Sequence, residues 1–146
     1  MATVFDVAQY ILEKQGPMTA MKLQKLVYYA QAWSLVWDEK PLFDERIEAW
    51  ASGPVVRELF ALHRGQFLVS DIQKGNPKKL TKDEKETIDA VIEFYGNKTA
   101  QYLCDLTHLE APWLESREDI PEGENCDNEI PLAVMHEYYS SIPDSD

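Results

Sequence analysis

Apolar residues recur at helical spacing along most of this chain. Thr3 is placed to cap a first helix, with Asp6 three residues on. Val4, Val7, Ala8, Ile11 and Leu12 then follow on one face up to the breaker Gly16-Pro17. Beyond Pro17, with Thr19 as a cap, Leu23, Leu26, Val27, Ala30, Trp33 and Trp37 form a second stripe. Tyr28, Tyr29, Ala32, Leu35 and Val36 cover much of the remaining circumference. A helix apolar nearly all round belongs at the centre of its domain.

Between Glu39 and Ser52 the period changes. Pro41 and Asp44 break the helix, and Arg46-Ile47-Glu48-Ala49-Trp50 alternates polar with apolar, as a half-buried strand does. Gly53-Pro54 fits a helix start, with Pro54 at the first helical position and Val55, Val56, Leu59, Phe60 and His63 following before Arg64-Gly65. Residues 67–72 suit a second short strand pairing with the first. Thr81-Lys82-Asp83-Glu84 is a capping box opening a helix with Ile88, Val91, Ile92 and Tyr95 inward and Gly96 as its stop. Another helix is predicted from about Thr99 to His108, closed by Pro112. An acidic loop follows over about 115–129, and Leu132, Met135, Tyr138 and Tyr139 mark a closing helix near 131–140. The expected architecture is mainly α, a compact single domain over 1–146 built as a bundle of about six helices. A small two-stranded β element is expected at 46–50 and 67–72.

Composition narrows the function classes. The 26 acids against 14 bases leave a net charge of −12, which argues against nucleic-acid binding because the phosphate backbone is held mainly by Lys and Arg. With 45% hydrophobic residues the chain suits one folded domain. The first residues lack a basic signal-peptide region and no apolar run reaches the ~20 residues of a membrane span, so the expectation is a soluble, cytoplasmic protein without membrane contact. Two cysteines, Cys104 and Cys126, do not make a disulfide framework and read as reduced thiols.

Common catalytic patterns are missing. There is no G-x-G-x-x-G, P-loop, H-E-x-x-H or C-x-x-C, and Ser52-Gly53 is not a nucleophile elbow. His63, His108 and His136 are far apart, so neither a metal nor a cofactor is called for. The one suggestive pair is Cys104 with His108, four residues on along one helix face. With Asp105 or Glu110 as third member it would make a small hydrolase or transferase; the ordinary reading of Cys104 is a small buried hydrophobe. No enzyme is expected.

Aromatic residues draw more notice, because Trp, Tyr and Arg dominate protein interfaces. Trp33 sits on the main apolar stripe and reads as core. Tyr28, Tyr29 and Trp37 lie at its edge, where core and partner contact are both open.

The run Lys22-Leu23-Gln24-Lys25-Leu26-Val27-Tyr28-Tyr29-Ala30-Gln31-Ala32-Trp33, followed by Ile47-Glu48-Ala49-Trp50-Ala51-Ser52-Gly53-Pro54-Val55-Val56, resembles the Panacea, or SocA-like, antitoxin domain, also met in phage-associated GepA-type proteins. Thr107-His108-Leu109-Glu110-Ala111-Pro112-Trp113 looks like the family's later T-H-x-E-x-P-W element, and Ile130 to Tyr139 like its closing helix. The resemblance implies a mostly helical antitoxin of a type II toxin–antitoxin module, binding a toxin encoded beside it. Alternatives it carries are an adaptor delivering the toxin to a ClpXP-type protease and a phage-borne inhibitor of a host protein. Residues before Lys22 are filled by one helix and a turn, so no added DNA-binding region is expected. Ser52 departs from the aromatic or His expected before Gly-Pro. Carried onto this chain, Leu26, Gly53, Pro54, Val55 and Pro112 are structural. Tyr28, Tyr29, Trp33, Trp37, Trp50, Ser52, Arg57, His108 and Trp113 are the candidate partner contacts.

The charge is uneven. From Glu110 onward there are 11 acids and one base, whereas residues 1–109 hold 15 acids and 13 bases. The acidic third reads either as a solvated surface or as a field that steers a basic partner.

Overall fold

A computed structural model describes residues 2–142. The ends of the expected 1–146 domain, with Asp144 and Asp146 of the acidic third, lie outside the described residues. Among the described residues the fold is mainly α. Seven helices run as α1 (Val4–Gln15), α2 (Ala20–Trp37), α3 (Arg57–His63), α4 (Lys82–Tyr95), α5 (Ala100–His108), α6 (Ala111–Ser116) and α7 (Leu132–Ser140). Four short strands are β1 (Met18–Thr19), β2 (Ile47–Trp50), β3 (Gly53–Val56) and β4 (Leu68–Val69).

The cap residues act as their chemistry dictates. Thr3 with Asp6 and Thr81 with Glu84 form complete capping boxes, each satisfying two otherwise orphaned backbone donors. Thr19 accepts from the Lys22 N–H to start α2. That helix is the axis of the molecule: α1, α4, α5, α7 and β3 all pack on it, and every residue from Leu23 to Leu35 is buried.

A buried helix must satisfy its polar side chains, and α2 uses its buried Gln, Ser and Lys side chains to hold irregular or β backbone. The Gln31 amide donates to Phe43 O and accepts from Leu42 N–H, and Ser34 donates to Lys40 O. The Gln24 amide donates to Val56 O, accepts from Val56 N–H and meets His63 Nε2 at 2.9 Å. Lys25 Nζ donates to Pro54 O at 3.1 Å. These bonds dock the loop after α2 and the strand β3 onto the core without leaving their backbone groups unpaired.

The structure corrects several expectations. The segment 46–50 does not pair with 67–72. Instead β2 folds back on β3 as an antiparallel hairpin, from Ile47 opposite Val56 to Trp50 opposite Gly53, while β4 pairs with β1. Gly53 takes φ +108°, the left-handed side that an L side chain resists, and this turns the chain directly back at Ala51-Ser52. Gly53-Pro54 therefore begins a strand and not a helix, and α3 starts at Arg57; Gln24 occupies both backbone groups of Val56 and so holds it extended. Pro112 does not close a stretch but sits in the first turn of α6, where its missing N–H costs nothing. The expected acidic loop begins after Ser116, and one more helix forms than the pattern predicted.

Candidate partner-binding site

The hairpin tip collects much of what the sequence singled out. Trp50 and Ser52 are half-buried and Arg57 is exposed; together with Ile120, Cys126 and Asp127 they line a hollow of about 600 Å³. Rigidity comes from beneath. Glu48 is buried on β2 and holds Arg57 at 3.0 Å, Arg46 at 3.1 Å and the Trp50 indole N–H at 2.7 Å. Burial pushes its carboxyl up, but bonds from Arg57 and Trp50 and the two guanidinium charges outweigh that and hold it below the usual carboxylate value.

A second layer fixes the tip to the T-H-x-E-x-P-W element. Trp113 is buried on α6 and donates its indole N–H to Trp50 O at 2.8 Å. His108 stacks on the Trp113 ring at 4.0 Å between centroids, and the Arg117 guanidinium carbon lies 4.8 Å from the same ring's centroid. Arg117, also buried, donates to Ala49 O, Pro121 O and Glu124 O, tying the acidic loop to β2. Under the tip lies Lys25, fully enclosed; burial lowers its pKa to about 8, and the nearby Cys104 only partly offsets this.

Cys104, His108 and a carboxylate do line up, though with a different acid from those the sequence offered. Cys104 Sγ is 3.7 Å from His108 Nε2, and His108 Nδ1 is 3.3 Å from Glu122 on the acidic loop. Asp105 instead accepts from Gln101, and Glu110 faces a tyrosine cluster. Burial pushes the Cys104 thiol up and the His108 imidazole down, and Sγ donates to Ser52 O at 3.2 Å. Both shifts favour a protonated thiol beside a neutral ring over a thiolate–imidazolium pair. Among the described residues no three His, Cys, Asp or Glu side chains converge as a metal set.

The aromatic candidates on α2 divide sharply. Tyr28 and Tyr29 are buried and present no contact face, a correction to their reading as partner contacts; Trp113 is buried too, while Trp33, 8% exposed, lines a groove. Their polar atoms are spent internally. Tyr29 donates to Glu110, Tyr28 and Tyr139 share a hydrogen bond at 3.0 Å, and the Trp33 indole donates to Tyr95. Trp37, one turn beyond Trp33 and stacked on it at 5.1 Å, is 44% exposed. Leu26, Gly53, Pro54, Val55 and Pro112 are buried.

Three buried charged residues, Lys25, Glu48 and Arg117, escaped the sequence reading, and Glu110 entered it only as a possible catalytic acid. Lys25 was visible as a charge inside an otherwise apolar stripe, and Glu110 as the acid of the T-H-x-E-x-P-W element. Burial pushes Glu110 up to about 7, against the opposing bonds from Tyr139 and Tyr29. Nothing in the local pattern marked Glu48, which the hairpin brings to Arg57, or Arg117, which reaches back to Ala49.

Comparison with known proteins adds the following. The family model described as antitoxin SocA-like, Panacea domain, matches residues 23–114, from the start of the buried part of α2 to α6. Antitoxin SocA of Caulobacter vibrioides is 30% identical over 125 residues, covering 73% of this chain and 66% of that protein. No solved structure matches.

Proposed function

The chain belongs to the SocA-like Panacea antitoxin family, and on that premise we propose that it neutralises a toxin, encoded by the adjacent gene, by binding it directly. The family supports an antitoxin role and a toxin partner. The family match over the central helix, the hairpin and the T-H-x-E-x-P-W element carries the reading. The geometry suits it: Trp50 and Arg57 stand at the surface, already locked by Glu48, so little side-chain freedom is lost when a partner covers them. The role is one of binding in the cytoplasm, without catalysis. Among the described residues no helix is long and apolar enough to cross a membrane.

Co-expression with the neighbouring reading frame tests this. The neighbour's product is expected to arrest growth alone and to be harmless beside this chain, at an unchanged cellular level. Rescue that requires a ClpXP-type protease, with falling toxin levels, identifies an adaptor. Arrest that persists in the presence of this chain contradicts the proposal.

A further inference from the structure

A groove of about 650 Å³ runs along the C-terminal part of α2, between α4 and α5. Trp33 and Tyr95 are its buried walls. Trp37, Phe94 and Tyr102, each from a different helix, stand around it at 44%, 59% and 49% exposure. Single exposed rings are ordinary on a protein surface, whereas three gathered around one hollow mark a recognition site. Glu110 also lines it.

Glu110 is 7% exposed. Both of its hydrogen bonds, from Tyr29 and Tyr139, end on Oε1. Among the described residues nothing donates to Oε2, and no fully buried side-chain N or O lacks a partner, so Oε2 keeps some exposure on a residue that lines the groove. An almost buried carboxyl with one oxygen unpartnered among the described residues therefore lines an aromatic-walled hollow. Aromatic faces carry negative potential and attract cations, and a carboxylate behind them adds a directed acceptor.

We propose that this groove receives an Arg or Lys side chain of the toxin, held between the rings and hydrogen-bonded to Glu110 Oε2. The proposal rests on the direct-binding reading above and names the chemistry of its contact. Among the described residues no Lys or Arg lines the groove; Lys98 lies over the Tyr102 ring at the rim, 5.2 Å from its centroid. The groups facing Glu110 are all phenols: Tyr28 and Tyr29 on α2, Tyr95 on α4, Tyr138 and Tyr139 on α7. Burial, against the bonds from Tyr139 and Tyr29, holds Glu110 partly protonated near neutrality. An arriving cation displaces that proton, so binding strengthens as pH rises through 7. Residues from Glu110 onward hold 11 acids against one base, a field that draws cations in.

The test has two arms at pH 8, both on the full chain. In the first, N-acetyl-arginine methylamide is titrated into isotope-labelled protein while the indole N–H resonances of Trp33 and Trp37 are followed, with N-acetyl-glutamine methylamide as the uncharged comparison. A saturable shift with the arginine probe, weakened at least tenfold by Glu110→Gln, is expected. That substitution keeps Oε1 as acceptor for both tyrosines, and near-UV circular dichroism checks its fold. No shift, or equal shifts from both probes, overturns the proposal.

In the second arm the purified toxin is bound to variants. Trp37→Ala and Glu110→Gln are each expected to weaken it at least tenfold, and Phe67→Ala, an exposed ring near the other end of α2, to leave it unchanged. Equal binding by all variants overturns the groove proposal and leaves direct binding standing. A toxin that the wild-type chain does not bind removes the direct-binding reading and this partner with it. A dimer of the chain alone that Trp37→Ala dissolves assigns the groove to a second copy and overturns the proposal.

Discussion

Tyr29 of α2 and Tyr139 of α7 donate to the same carboxylate oxygen, Glu110 Oε1, at 2.8 and 2.7 Å. One acid at the start of α6 thus joins the central helix to the closing helix, and Tyr139 extends the chain of hydroxyls to Tyr28. Such a network rigidifies a core when every member is satisfied.

Its electrostatics set a pH dependence. Glu110 titrates at about 7 when folded against an ordinary 4.5. Below 4.5 both states hold the proton; between 4.5 and 7 only the folded state does, so folding stability falls as pH rises through that window and levels off above it. The loss for this group is on the order of 3 kcal/mol. Glu110→Gln, which cannot ionise, should overtake the wild type in melting temperature between pH 5 and pH 8. A difference between the two that is independent of pH contradicts the assignment.

Gly53 lies against Lys25. A Cβ at Gly53 would stand 2.5 Å from Lys25 Cε, and the backbone there has φ +108°. Gly53→Ala is expected to cost roughly 1–3 kcal/mol from the dihedral alone, plus the collision. Combining it with Lys25→Ala, which removes Cε, should relieve the collision and leave the dihedral strain. The double variant's denaturant midpoint is then higher than the sum of the single changes allows.

Arg117 gives three carbonyl oxygens their hydrogen bonds from a buried position. Charge-assisted bonds of this kind contribute about 1.5–3 kcal/mol each at most. Arg117→Ala should lower stability by more than about 3 kcal/mol. It should also open the loop after α6 to a glutamate-specific protease at Glu118, Glu122 and Glu124. Unchanged cleavage would show that the loop is held by something else.

Cys104 should behave as an ordinary buried thiol. Its pKa is raised by burial and its proton is given to Ser52 O. Reaction with a disulfide reagent at pH 7 is expected to be no faster than that of a model thiol; a rate well above it would restore the Cys104–His108–Glu122 line as chemistry.

What the sequence revealed follows the range over which each signal acts. Thr3 with Asp6 and Thr81 with Glu84 satisfy donors within one turn, so both helix starts were legible. The all-round apolarity of α2 likewise placed it at the centre. Pro54 was ambiguous because its fixed φ suits a helix start and an extended strand alike; Lys25 and Gln24, distant in sequence, decide the matter by binding the backbone of Pro54 and Val56. The same distance hid the site. Tyr29 looked equally able to face a partner or the core until Glu110 and the stacked Tyr95 enclosed it. The aromatic groove needed Trp37, Phe94 and Tyr102 from three helices, which no local spacing announces.

The measurement closest to the central claim is titration of the purified chain with the purified product of the adjacent gene, with no protease present. The account predicts a saturable complex with a dissociation constant below about 1 μM, and an association rate that falls steeply with added salt. No complex at concentrations well above that range would contradict neutralisation by direct binding.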